Sequence, residues 1–304
     1  MHKGKWKIVR KLSRKISTVW VVTRTKNRKT QRGYFKILDK KSKKYAGPLL
    51  ANELISYRLA RALNLKAAKI KLAKIERRRG VVSIVRPARR HYTWAELSKK
   101  LNSPIMKHID NPQQLLKTFV FDIWICNVDR HGENLITFPK RNKYSFYLID
   151  HGFALLGAMK WRRVPWNSSY WNHVTKYNRH YVQGLRSYIY SYQQLSPFIE
   201  QIQSIPAYKI KKIVKSMPVS VLSPSKKKIV IKLLLYRQEN LHVIVNRWMK
   251  EYKKNDSRSR VLINKKSRRK MKKRHIARES SSYPTGYYST GYYSSFTSRP
   301  YNTL

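Results

Sequence analysis

The chain predicts an α+β fold in two lobes, β-rich at its start and mainly helical after it, followed by a disordered C-terminal tail. Three observations predict it. Runs of β-branched and aromatic residues bounded by polar turns recur through residues 18–87, helical periodicity governs most of residues 88–252, and beyond 278 aliphatic residues nearly vanish. With 304 residues and 41% hydrophobic content, the chain has enough apolar surface for a buried core.

Residues 1–14 read as a basic arm; residues 1–50 together hold 17 Lys and Arg and a single acid, Asp39. "TVWVVTRT" and "QRGYFKIL" are strand-like runs around a polar turn, predicting a hairpin over about 18–38. "LLANELISYRLARAL" sets Leu50, Leu54, Tyr57, Leu59 and Leu63 near one helical face. "AAKIKLAKIERRRGVVSIVRP" reads as two strands around a turn at Gly80, ending at Pro87. Residues 15–87 thus form the first lobe and 88–252 the second. In the second lobe, Pro112 opens a helix whose Leu115, Leu116, Phe119, Val120, Ile123 and Trp124 form a buried stripe. That helix runs into "NVDRHGEN". "LITF" and "YSFYLID" then flank the turn "PKRNK" as a second hairpin. Ser223–Pro224 starts one long helix through "SKKKIVIKLLLYRQENLHVIVNRWMKEY".

Charge constrains partners more than fold. The 68 Lys and Arg against 14 acids leave a net charge of +54, which attracts nucleic acid, anionic membrane or acidic protein. Polyanion binding is expected at the N-terminus and at "KKSRRKMKKRH", against the plainer reading of a solvated basic run. The lone Cys126 excludes an intrachain disulfide or a cysteine metal cage and reads as a small core residue. The N-terminus has charges but no apolar core of a signal peptide, and no run of about 18 apolar residues spans a membrane. A cytoplasmic location is expected.

Polar residues at element junctions carry the chemistry. Lys36 lies within a strand, and Glu53 on the next helix could anchor it by an ion pair. Asp129 and Asn134 sit five residues apart in the loop after the buried helix. Asp150 ends a strand. Phosphoryl transfer needs such groups: a cation held by Asp and Asn, a Lys on the phosphates, and a separate Asp to orient the attacking hydroxyl and accept its proton. Each residue alone has a plainer reading. Asp129 could close an Asx-turn, Asn134 a turn, Asp150 could cap a strand end, and Lys36 could be a surface lysine. Their order and spacing together favour catalysis. His131 either orients the loop or touches phosphate, or it is a structural, hydrogen-bonded histidine. Glu133 reads as solvated. The aromatic run "WRRVPWNSSYWNHVTKYNRHY" could stack bases, though packing and loop surface are the commoner use.

"NVDRHGENLI" together with "FYLIDHGFALL" resembles the catalytic and metal-binding segments of HipA-like kinases, and also the "DRHxxN…IDFG" pattern of phosphatidylinositol 3-/4-kinases. "NELISYRLARALNL" and "YFKIL" are similar to the family's Glu helix and Lys strand. "IPAYKIKKIVKSMP" and "IKLLLYRQENL" resemble its helical end. The resemblance spans roughly 15–250. It implies a two-lobed protein-kinase-like fold and an ATP- and Mg²⁺-dependent phosphotransferase acting on Ser/Thr of an unspecified protein substrate. Asp129 would be the catalytic Asp, with His131 beside it. Asn134 and Asp150 would be the Mg²⁺ ligands, Lys36 would bind phosphate, and Glu53 would hold Lys36. Two departures stand out. The turn expected to cover the nucleotide, "TRTKNRKTQRG", has a single Gly, and "IDHG" sets His151 where a packing Phe would be. The lobe-joining segment is expected near "SIVRPA".

Residues 253–304 form the expected disordered tail, with a tandem "TGYYS" at 285–289 and 290–294. Its composition resembles that of bacterial spore-coat proteins, which implies an alternative: a kinase-like structural or polyanion-binding protein with little turnover, associated with a spore. A phosphoinositide-type lipid kinase is a further alternative.

Overall fold

The computed structural model describes residues 5–12, 18–26, 28–37, 39–178 and 188–252. The expected tail, 253–304, and residues 179–187, which begin with the end of the aromatic run, lie outside the described residues.

Five strands, β1 (Lys7–Leu12), β2 (Val19–Lys26), β3 (Lys29–Ile37), β4 (Lys69–Ile75) and β5 (Arg78–Ile84), form an antiparallel sheet in the order β1-β2-β3-β5-β4. Period-two alternation gives the sheet two different faces. Trp20, Val22, Phe35, Ile75, Val82 and Ile84 build a small core on one face. Ile70 and Val81, on the other, join the main core with α2 (Leu49–Ala62). Because Phe35 faces the small core, its neighbour Lys36 must point to the side where α2 lies.

Three sequence expectations change here. Lys7–Leu12, expected within a basic arm, pair with β2, because Trp6 and Ile8 pack on the small core while Lys7, Arg10 and Lys11 stay exposed on an edge strand. The turn between β4 and β5 falls at Glu76–Arg77, both at positive φ (46° and 63°), rather than at Gly80. Gly80 lies inside β5, where a Cβ would sit 2.2 Å from the Lys36 carbonyl oxygen and 2.5 Å from the Phe35 ring. The third change concerns the nucleotide cover. The β2–β3 turn closes at Lys26↔Lys29, and Lys36 pairs with Val19 at the opposite end of the hairpin. Seven residues of strand separate that turn from Lys36 by about 23 Å. The turn "TRTKNRKTQRG" therefore cannot cover the Lys36 end, where Leu12 pairs with Val19 instead.

The connection from β5 runs through 85–91, a stretch that includes the end of "SIVRPA", into β6 (Tyr92–Thr93) and α3 (Trp94–Lys100). Thr93 and Glu96 close a capping box at α3, each side chain accepting the other's backbone N–H at 3.1 and 2.6 Å. β7 (Leu135–Lys140) and β8 (Lys143–Leu148) form the second hairpin and pair with β6 in a three-stranded sheet. α4 (Gln113–Trp124) is buried from Leu115 onward. The expected single long helix is divided: Pro224–Glu239 ends at Asn240, whose Nδ2 donates to the Tyr236 carbonyl (2.9 Å), and helix resumes over 241–252. Arg237, fully buried, donates to the carbonyls of Ile123, Trp124 and Trp171 and to Tyr177 Oη. It thereby caps the C-terminal end of α4 with a cation. Trp171 and Tyr177, from the aromatic run, are core residues packed ring against ring. Among the described residues, no helix is long and apolar enough to cross a membrane.

Gly80→Ala is expected to lose about 1–3 kcal/mol in urea unfolding, the usual cost of forcing an extra group into a packed site. Wild-type stability for that variant would contradict the close approach of β3 and β5.

Candidate active site

The site grows from three chain segments. β3 delivers Lys36, and α2 delivers Glu53, whose Oε1 lies 2.8 Å from Lys36 Nζ. On the other side of the ammonium, 2.7 Å away, is Asp150 Oδ1. Burial works against the Lys36 charge, but the two carboxylates outweigh it and hold the ammonium well above its ordinary range. Burial likewise pushes the Asp150 carboxyl up, and Lys36 more than offsets this, leaving it at about 2. Glu53 is raised, because burial and Asp150 together exceed the pull of Lys36 and of the His151 N–H.

Asp150 sits in the left-handed region (φ 55°), a conformation that Asp tolerates better than most residues and that is typical of functional sites. α2 fixes the turn beyond it. Glu53 Oε2 accepts the His151 N–H (3.1 Å), and Asn52 Nδ2 donates to the Gly152 carbonyl (2.9 Å). Gly157 permits this packing, since a Cβ there would lie 2.1 Å from the Gly152 oxygen.

The loop after α4 is ordered by a buried ion pair. Arg130 Nε donates to Asp122 Oδ2 at 2.8 Å, with both side chains 0% exposed, and Nη2 reaches Oδ1 at 3.2 Å. Arg130 Nη1 also donates to the carbonyls of Asn134 (2.8 Å) and Ile149 (3.0 Å). Its Nη2 lies 2.9 Å from His151 Nε2. A guanidinium only donates, so Nε2 accepts and the imidazole is neutral with its proton on Nδ1. Burial and the Arg130 cation both hold His151 well below its ordinary range. Asn127 donates to Asp122 Oδ1 (2.8 Å) and accepts the Asp129 N–H (3.2 Å). Cys126 is buried at the start of this loop, and burial pushes its thiol up to about 11, as expected of an inert core residue.

This frame presents Asp129 and Asn134 together. Asn134 Nδ2 donates to the Asp129 carbonyl at 2.7 Å and reaches its Oδ2 at 3.5 Å. Burial raises the Asp129 carboxyl, opposed by His131 and reinforced by Asp150. His131 Nδ1 accepts the Glu133 N–H (3.2 Å), and its Nε2 lies 3.7 Å from Asp129 Oδ1 and 3.2 Å from Asn134 Nδ2. Glu133 is exposed. Lys36, Asn134 and Asp150 line one cleft of about 590 Å³, walled by Val19, Ile84 and Ile136. Five of the six sequence-derived site residues therefore lie in the loop or line this cleft, and the sixth, Glu53, holds Lys36.

The family model of HipA-like kinases matches residues 39–220, more than half of the chain. The chain belongs to the HipA-like kinase family. Among solved structures it is similar to the Helicobacter pylori proinflammatory kinase CtkA, with 14% identity, a TM-score of 0.58, and coverage of 82% of this chain and 97% of that one. It is also similar to HipA of Shewanella oneidensis MR-1, solved with HipB and operator DNA, with 16% identity, a TM-score of 0.49, and coverage of 79% and 67%. No curated protein matches. The likeness to CtkA shows a kinase-like fold, and family membership places the chain among phosphotransferases.

Sequence reasoning about this HipA-like kinase missed Asp122, Arg130, Asn127 and Asn52. One signal was available. Asp122 interrupts the apolar stripe of α4, between Phe121 and Ile123, in a chain with only 14 acids, and a charge there is tolerable only if paired. The partner, eight residues on, is not readable from spacing.

Arg130→Leu is expected to cost about 3–5 kcal/mol in chemical unfolding, because Asp122 is left charged and buried. A loss below about 1 kcal/mol would show that the pair is not needed. Asp150 also makes stability depend on pH. Its folded value of about 2 lies below the ordinary carboxylate value of about 3.9. The stability it contributes is present above about pH 4 and lost as pH falls through about 2. Lys36→Met removes that contribution, so its melting temperature should fall less steeply than wild type between pH 5 and pH 2. Parallel curves would contradict the coupling.

Proposed function

We propose that this HipA-like kinase transfers the γ-phosphoryl group of ATP, with Mg²⁺, to a Ser or Thr hydroxyl of a protein. The observation that carries this reading is the division of labour around Lys36. Asp150 Oδ1 takes the contacts to Lys36 and the Gly152 N–H, while Asp150 Oδ2 and Asn134 Oδ1 take none among the described residues, and both side chains line the same cleft. One carboxylate oxygen and one amide oxygen suit a hard cation that draws its remaining ligands from phosphates and water. Among the described residues no cluster of three or more His, Cys, Asp or Glu builds a cation cage by side chains alone, which fits a cation shared with the nucleotide.

Each side chain then has a task. Val19, Ile84 and Ile136 offer apolar walls to a base. Lys36, fixed by Glu53, brings positive charge to the phosphates. When bound, Mg²⁺ neutralises charge on the transferred group, and Asn134 and Asp150 are the residues that would hold it. The acceptor oxygen forms the new bond to phosphorus as the bond to the ADP leaving oxygen breaks, and Asp129 takes the hydroxyl proton. Burial raises the basicity of Asp129 in the direction that favours this transfer. His131 acts as a positioning residue, tying the Glu133 N–H to the Asp129–Asn134 pair.

Asp129→Ala should lower ³²P transfer from labelled ATP by about 10²–10⁴-fold while Mg·ATP still raises its melting temperature. Full transfer by that variant would sink the assignment.

A further inference from the structure

A second hollow of about 430 Å³ adjoins the same loop and is unused by the roles above. Its volume falls within the range of about 300–1,000 Å³ typical of ligand sites. The two cavities divide the loop between them. Asn134 and Asp150 line the nucleotide cleft and Asp129 does not; Asp129 and His131 line the second hollow, and Lys36 and Asp150 do not. If Asp129 takes the acceptor proton, the acceptor must approach through this hollow.

The far wall is cationic. Arg162, in the last turn of α5 (Leu156–Arg162), and Lys176, in the short helix Val174–Tyr177, both line it and both are exposed. Arg162 Nη2 is held by the Tyr177 carbonyl (3.1 Å), which fixes the guanidinium without neutralising it. Neither cation makes an ion pair among the described residues, and Asp129 is the one acid in the lining. Asn178, 7% exposed, also lines the hollow, and its Nδ2 has no hydrogen-bond partner among the described residues. A buried amide donor without an acceptor is costly, so an oxygen entering the hollow would find a ready donor there.

We propose that this hollow receives an anionic group next to the acceptor hydroxyl, so that the kinase selects acidic segments of its protein substrate. Arg162 and Lys176 supply the charge, and Asn178 donates to a carboxylate, phosphoryl or carbonyl oxygen of the same segment. The proposal rests on the phosphotransfer reading and adds the acceptor class.

The test uses the full-length protein, Mg·ATP and Ser-containing peptides of equal length, the first two sets also of equal composition. In one set two Asp residues adjoin the Ser; in a second they lie six residues away; in a third Asn replaces Asp; in a fourth a phosphoserine replaces the adjacent Asp. Long-range attraction to a chain of charge +54 acts alike on the first two sets, so only local recognition separates them. Wild type should favour adjacent over distant Asp at least tenfold in kcat/KM. The double variant Arg162→Glu/Lys176→Glu should instead prefer a peptide with adjacent Lys, a gain that misfolding cannot produce. A still larger preference for the phosphoserine peptide assigns the hollow to a phosphoryl group, and a smaller one to a carboxylate. Transfer without positional preference, or a preference unchanged in the double variant, overturns the acidic-segment proposal alone. Absence of both ³²P transfer and Mg·ATP stabilisation overturns the phosphotransfer reading and the proposal with it.

Discussion

The buried pair between Arg130 and Asp122 is the contact on which the geometry of the site depends. One guanidinium meets a carboxylate from α4, two carbonyls on either side of the β7–β8 hairpin, and the ring of His151. A charge taken fully out of water is costly, and the pair is tolerable because almost every polar atom in it has a partner. The energetic consequence is rigidity more than net stability. Asp129 and Asn134 flank Arg130, so their separation from Asp150 is set by a side chain buried behind them.

That constraint explains why "IDHG" works with a histidine at position 151. A phenylalanine could pack against Phe121 as the His151 ring does, but it could not accept from Arg130. The neutral imidazole does both. On the opposite side, Asn52 and Glu53 hold the 150–152 turn from α2, so the first lobe's helix and the second lobe's loop grip the same three residues. Lys36 completes the link. Its two carboxylate partners come from segments about a hundred positions apart in sequence, and desolvation alone would have disfavoured all three charges. Pairing holds Lys36 and Asp150 ionised, although Glu53 is itself raised by its burial.

The 127–134 loop thus separates two environments. One side faces an apolar-walled cleft with Lys36 and Asp150, the other a cationic hollow with Arg162 and Lys176. Arg237, capping the end of α4, anchors the wall between them to the helical body. The proposed inline displacement needs nucleotide and acceptor on opposite sides of the transferred group, and a thin loop clamped at both ends would keep them apart.

The sequence by itself determined the main elements and singled out the candidate reacting residues. Period-two and helical patterns located the hairpins, α2 and α4, because burial on one face leaves a local signature. Asp129, Asn134 and Asp150 were legible because spacing and order within one loop and one strand are local too. The Thr93–Glu96 capping box was equally local and could have announced α3. Only the tertiary structure decided the rest. Gly80 looked like a turn until the crossing of Lys36 and Phe35 showed why it lacks a side chain, and the β2–β3 turn looked like a nucleotide cover until strand register put it at the wrong end. Arg130, Asn52 and the cationic hollow stayed hidden for the same reason. Each owes its role to a partner distant in sequence, and long-range pairing in three dimensions leaves no periodic trace along a single chain.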